Sequence, residues 1–255
     1  MKYIVFRKII RKIFKVEIIK TKNYKEATLQ AFDNNLRRTL KKIINKDDVV
    51  ILDIGAHNGD SIERYSEIFK NISVHSFEPN KKLFNILNDK FGSENSIFLY
   101  NIGISNKRGK TKLNIASESL MSSIAEINYD SQFFVNRNIT HEDSVDIEVE
   151  TLDKFCETNN ILYVDLLKLN VQGHEPYCLE GAKNLIKGNK IHLIIVELEM
   201  GDRYGIINQF YDIEKNIVPY GYSLYDIILI KRNDIGKIQM LNVIYSSNKI
   251  GSYST

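Results

Sequence analysis

The sequence predicts an α/β fold built on a mostly parallel sheet with helices on both faces. Three observations carry this prediction. Val49-Val50-Ile51-Leu52 is apolar without alternation, as in a strand buried on both faces, and it stops abruptly at Asp53 and a glycine-containing loop. Val74-His75-Ser76-Phe77 ends in the same manner at Glu78-Pro79-Asn80, and helical spacing follows each run. Further buried runs stand at Val164 to Asn170 and Ile191 to Glu197.

A chain of 255 residues with 43% hydrophobic residues can bury a sizeable core within one such domain. The net charge of +3 is small and offers no concentrated basic face, so no nucleic-acid partner is expected. Cys156 and Cys178 stand at unrelated spacing, which argues against a disulfide framework or a zinc site and fits a reducing, cytoplasmic setting. Residues 1–22 form a basic arm before a domain spanning 23–255. In the arm, Phe6, Ile9, Ile10, Ile13 and Phe14 make an apolar stripe among Arg7, Lys8, Arg11, Lys12 and Lys15. Such a stripe packs on its own domain or a partner subunit, or gives weak peripheral contact with the inner face of a membrane through residues 1–20. It lacks both the unbroken apolar core of a secretory signal and the run of about 20 apolar residues of a transmembrane helix.

Taken in order, Tyr24 to Ile44 keeps helical spacing through Phe32, Leu36, Leu40, Ile43 and Ile44, and Lys46-Asp47-Asp48 is a polar boundary before the first strand. Asp60 or Ser61 caps the next helix, whose apolar positions are Ile62, Tyr65, Ile68 and Phe69. Leu83, Phe84, Leu87 and Phe91 mark the helix after the second strand, and Ser96 to Asn101 reads as a third strand. Asn106-Lys107-Arg108-Gly109 turns into Thr111 to Ile115, predicting a hairpin insertion. Residues 116–144, with Ser117, Ser119, Ser122 and Ser123, read as a polar surface loop, and Val145 to Val149 alternates as an edge strand does. Thr151 or Asp153 caps a helix. After the fifth strand, Gly201-Asp202-Arg203-Tyr204-Gly205 reads as a mobile loop. A helix around Phe210 and Tyr211 and a turn at Pro219 to Tyr222 lead to strands at Ser223 to Ile230 and Met240 to Tyr245, with fraying expected from Ser246.

The glycine spacing narrows the ligand. Gly55 and Gly59 flank Ala56, His57 and Asn58, which is neither the G-x-G-x-x-G of dinucleotide sites nor a Walker loop. A loop of this form beside a helix N-terminus can offer amides to a carboxylate, while Asp53 balances positive charge. Glu78, at the end of the second strand, is placed where a carboxylate accepts from both hydroxyls of a ribose. Singly, these features also suit an ordinary α/β turn and a solvated strand end. Together they favour a nucleoside with an amino-acid tail.

The chain resembles the class I S-adenosylmethionine-dependent methyltransferases, and within them the FkbM family, from about residue 48 to about residue 245. The resemblance rests on the Asp53 to Gly59 loop, Phe77-Glu78-Pro79-Asn80, Thr151-Leu152-Asp153, Leu167 to Glu175, Leu179-Glu180-Gly181-Ala182 and Ile195-Val196-Glu197. It implies a Rossmann-like fold with a seven-stranded sheet and an antiparallel last strand. It also implies S-adenosylmethionine as cofactor, held by Asp53, Gly55, Ala56, His57, Asn58, Gly59, Glu78 and Asn80, with Asn101 and Ile102 near the adenine. The usual reaction is O-methylation of a sugar hydroxyl in a glycan or natural product, and the serine segment would stand near the opening of the site.

The family usually has aspartate where this chain has Asn170, and an amide cannot act as a general base. Methyl transfer depends largely on alignment, and a hydroxyl acceptor gains from a base. Glu175 is the first candidate, followed by Glu197 and then His174, with Lys168 and Asn170 orienting groups. No required metal is expected, because the carboxylates come from separate strands. Two rival readings are an S-adenosylmethionine-binding protein without turnover and a nucleotide-sugar or NAD-dependent enzyme on a similar sheet. The acceptor is expected to be a small molecule or glycan, and the sequence sets no oligomeric state.

Overall fold

The structure, a computed structural model, describes residues 24–204, 210–232 and 236–248. The basic arm, Gly205 and everything beyond Asn248 lie outside these residues. Among the described residues no helix is long and apolar enough to cross a membrane.

The unalternated runs form the centre of a seven-stranded sheet. It comprises β1 (Asp48–Ile54), β2 (Asn71–Phe77), β3 (Ile97–Tyr100), β7 (Val164–Leu169), β8 (Ile191–Glu199), β9 (Tyr222–Arg232) and β10 (Ile238–Ser247), in the order β3-β2-β1-β7-β8-β10-β9. The β1, β2, β3, β7 and β8 pairings are parallel, and β10 runs antiparallel to both β8 and β9. Alternate residues of each strand feed two separate cores. Leu52, Ile54, Leu167, Leu169, Ile194 and Val196 face one core, with α5 (Leu152–Thr158), α6 (Glu175–Glu180), α7 (Lys183–Lys187) and α8 (Phe210–Ile217) supplying cover such as Phe155, Leu179, Ile186 and Ile213. Val49, Ile51, Leu166, Leu193 and Ile195 face the other. There α1 (Tyr24–Ile43), α2 (Asp60–Ile68) and α3 (Lys81–Phe91) bring in Leu36, Leu40, Ile62, Tyr65 and Leu87. A short helix, α4 (Gln132–Val135), lies in the connection before β6 (His141–Glu150).

Chain order reverses direction across β1, whose neighbours are β2 and β7. In open α/β sheets ligands lie beyond the carboxyl ends of the strands at such a point. The Gly55 and Asn170 loops both emerge there.

Five expectations need correction. Residues 106–115 do not close a hairpin. β4 (Gly103–Ile104), β5 (Gly109–Ala116) and β6 (His141–Glu150) form a second sheet in the order β4-β6-β5, so β6 is central rather than an edge. Arg203 and Tyr204 are buried, so the Gly201 turn is packed at these two residues rather than mobile along its length. Ser246 and Ser247 belong to β10, where Ser247 Oγ donates to Asn189 Oδ1 at 2.8 Å. Thr151 caps α5 by accepting from Lys154 N at 3.1 Å, whereas Asp153 accepts from Asn184 N and Leu185 N and so holds α7.

Candidate active site

The end of β1 is fixed from beneath. Asp53 is fully buried and pairs with Lys168 Nζ at 2.9 Å, as the adjacent register of the two residues on β1 and β7 allows. Ser61 Oγ donates to the other carboxylate oxygen of Asp53 at 2.5 Å, and Lys168 Nζ also donates to Gly55 O at 2.7 Å. Asp53 therefore meets Lys168 rather than a ligand cation. Gly55 follows at φ 80°, and a Cβ there would lie 2.0 Å from the Asn170 carbonyl oxygen. Only glycine lets the loops after β1 and β7 approach this closely.

Glu78 ties the ends of β1 and β2 together. Its Oε2 accepts from His57 N at 2.9 Å and its Oε1 from Asn80 N at 2.9 Å. Burial lifts its pKa to about 7 against the downward pull of these amides. His57 sits at φ 50°, and burial lowers its pKa, favouring neutral imidazole. The Asn80 side chain accepts from Lys82 N at 3.0 Å and caps α3.

A cavity of about 370 Å³ opens above these strand ends. Of the residues assigned to the cofactor, Gly55, His57, Glu78, Asn80 and Ile102 line it, and Asp53, Ala56, Asn58, Gly59 and Asn101 do not. Ala56 lies in the core with α1 and α2, and the Asn58 carbonyl accepts from Lys90 Nζ. Gly59 is the residue from which α2 starts, and the Asn101 amide donates to Glu78 O and Pro79 O, fixing the turn after β2.

The catalytic candidates separate in the same way. Asn170 and Glu197 line the cavity, whereas Lys168, Glu175 and His174 do not. Glu175, the first candidate for the base, turns back beneath its own loop. Its Oε1 accepts from Val171 N at 2.8 Å and its Oε2 from Gly173 N at 2.9 Å. Its carboxylate thus holds the backbone after β7 in place. His174 Nε2 pairs with Ser105 Oγ at 3.0 Å, and burial lowers its pKa to about 4.

The side chains after β7 form a directed chain of hydrogen bonds. Tyr204 OH donates to Gln172 Oε1 at 2.7 Å, and Gln172 Nε2 donates to Asn170 Oδ1 at 2.7 Å. The Asn170 amide is then left to donate to Glu197, whose pKa it lowers while burial, the larger effect, raises it.

The residue pattern misread one part of the wall and missed another. Residues 119–124 line the cavity, in keeping with what the resemblance implied for the serine segment, rather than forming the surface loop that their polar composition suggested. Asn114 on β5 bridges to Ser123, whose Oγ donates to Gln172 O at 2.7 Å, and His57 Nε2 pairs with Ser119 Oγ at 3.0 Å. Glu199 also lines the cavity, because β8 extends past Glu197 and period two puts both acids on one face. Its carboxylate pairs with buried Arg203.

Strand order, an antiparallel β10 and a cavity at the carboxyl ends of parallel strands together define the class I methyltransferase fold. Residues 53–224 match the Methyltransferase FkbM domain, and the chain belongs to the FkbM methyltransferase family. The 2-O-methyltransferase NoeI of Sinorhizobium fredii (strain NBRC 101917 / NGR234) is 23% identical over 159 residues, covering 59% of this chain and 64% of that protein. Among solved structures, the magnesium protoporphyrin IX methyltransferase ChlM of Synechocystis PCC 6803 with bound SAM aligns over 97% of both chains at 10% identity and a TM-score of 0.49. TrmK of M. capricolum, in complex with S-adenosyl-homocysteine, aligns over 84% of this chain and 68% of that one, at 15% identity and a TM-score of 0.47.

The residues present fit the S-adenosylmethionine that the family implies. Gly55 and His57 line the cavity after β1, an acid stands at the end of β2, and Pro79, Leu83 and Ile102 give apolar walls beside it. Among the described residues, no group of three or more His, Cys, Asp or Glu side chains is placed to hold a metal ion.

Proposed function

We propose that the chain methylates a hydroxyl of a sugar, glycan or natural product, using S-adenosylmethionine, with Glu197 as general base. The observation that carries this reading is one cavity whose wall includes both the Gly55 and Glu78 end of the β1 and β2 loops and the Asn170 and Glu197 end of β7 and β8. Family membership supports the reaction class, and the relation to a protein named as a 2-O-methyltransferase supports oxygen as the acceptor atom.

Gly55, which lines the cavity without a side chain, would stand against the amino-acid end of the cofactor, and Glu78 would accept from its ribose hydroxyls. When bound, S-adenosylmethionine supplies a methyl group on a positively charged sulfur, which departs as a neutral thioether without needing a proton. With the cofactor held there, Glu197 would take the proton of the acceptor hydroxyl as that oxygen receives the methyl group. Burial raises the Glu197 pKa, making it a stronger base than an exposed carboxylate. Asn170 takes no proton. It donates to Glu197 and keeps the carboxylate turned toward the cavity.

The test is Glu197→Gln. Loss of about 10²–10⁴ in turnover with S-adenosylhomocysteine affinity unchanged is expected for removal of a base. Full turnover would overturn the assignment.

A further inference from the structure

The cavity wall carries four carboxylates, Asp60, Glu78, Glu197 and Glu199, and among the described residues no lysine or arginine lines it. Two cations, half-buried Lys168 and buried Arg203, stand behind the wall. Lys168 is bound to Asp53 and the Gly55 carbonyl. Arg203 is 3% exposed and pairs with Glu199, donates to Gln239 O at 3.4 Å and stacks its guanidinium 3.6 Å from the centre of the Phe133 ring. To reach a ligand Arg203 would have to leave the aromatic face and its partner together. Glu199 thus occupies Arg203 beside the cavity, its own carboxylate oxygens closed to solvent, and leaves the guanidinium no charge free for a ligand. His57, held neutral by burial, adds no opposing charge.

An anionic group entering this space loses its water and gains no cation in return, so both desolvation and like-charge repulsion oppose it. A hydroxyl-rich neutral molecule meets an acceptor at Glu197 and mixed partners at the Asn170 and Gln172 amides, and its own hydroxyls can donate to all three. We propose that Glu199, oriented by Arg203, is a specificity-determining residue that restricts the acceptor to uncharged polyols and excludes acceptors bearing a carboxylate or phosphate near the reacting hydroxyl. This inference rests on the methyltransferase reading and names the acceptor class of the same cavity.

The experiment uses the full chain loaded with S-adenosylhomocysteine, whose own titration is measured first. Failure of that titration counts against the methyltransferase reading, and the sugar comparison is then made on the ligand-free chain. Matched methyl pyranosides, their uronates and their 6-phosphates serve as probes, with affinity read by saturation-transfer NMR. At least tenfold tighter binding of the neutral pyranoside is expected. Glu199→Gln leaves Arg203 without its carboxylate and should narrow that ratio at least tenfold or reverse it. Where thermal melting shows that this variant does not fold, Glu199→Gln with Arg203→Met, which removes both charges together, carries the comparison and should narrow the ratio by a smaller factor. Uronate binding equal to or tighter than pyranoside binding in the unaltered chain would overturn the proposal. So would an unchanged ratio in the folded variant, or the absence of pyranoside binding.

Discussion

Tyr204 donates its hydroxyl hydrogen to Gln172 Oε1 at 2.7 Å, and this bond sets the direction of the amides that follow β7. With its oxygen engaged, Gln172 presents Nε2 to Asn170 Oδ1, and Asn170 in turn presents its own amide nitrogen to Glu197. Gln172 holds a left-handed backbone at φ 56°, a conformation that costs roughly 1–3 kcal/mol and persists only where its surroundings enforce it. The enforcing contacts are Ser123 on the Gln172 carbonyl and Glu175 on the amides of Val171 and Gly173.

Asn170→Asp tests the direction of this chain. A carboxylate in place of the amide accepts from Gln172 equally well but turns a second negative charge toward Glu197. A like charge at this range raises the pKa of a neighbouring acid, so the acidic limb of the pH–rate profile should move upward by about one unit or more. An unmoved limb would show that Asn170 does not act on Glu197.

Tyr204→Phe removes the donor without changing the ring. Gln172 Oε1, in a residue 8% exposed, then lacks its partner, and an unsatisfied buried acceptor costs about 1–3 kcal/mol. Chemical denaturation should show a loss in that range. A neutral substitution would mean that the Gln172 amide is held by other contacts.

Stability should fall as pH rises through the weakly acidic range. Burial raises the Glu175 pKa from 4.5 to about 7, so the folded chain binds this proton more tightly than the unfolded chain does. The contribution is complete below about 4.5 and is lost as pH rises through about 7, amounting to roughly 3 kcal/mol at 1.36 kcal/mol per pKa unit. Glu78, also raised to about 7, adds a slope of the same sign. Glu175→Gln cannot titrate, so its melting temperature should vary less across pH 4.5 to 7. An unchanged profile would assign the proton to another group.

The parallel core was legible in the sequence because a strand covered on both faces has no alternation, and the runs of β1, β2 and β8 each ended at an acid. The second sheet was less so. β5 and β6 are separated by residues 117–140 and carry no hairpin turn, and alternation in β6 looks the same in a thin central strand as at an edge. An acid at the start of α6 was evident. That it turns back under the loop depends on the left-handed pair Gln172 and Gly173, at φ 56° and 93°, and only the glycine announces such a turn. Glu199 stands two residues past Glu197, the spacing that returns a side chain to the same face of a strand, but β8 was expected to stop one alternation earlier. Ser123 reaches the cavity through pairing with Asn114, and polar composition does not distinguish a wall of this kind from a surface loop.

Calorimetric titration of the purified chain with S-adenosylhomocysteine tests the central claim most directly, with NAD and a nucleotide sugar as controls. Saturable one-to-one binding of the first alone is predicted, weakened at least tenfold by Glu78→Ala with the cooperative melt retained. Absence of binding to a chain that melts cooperatively would contradict the assignment of the cavity as a cofactor site.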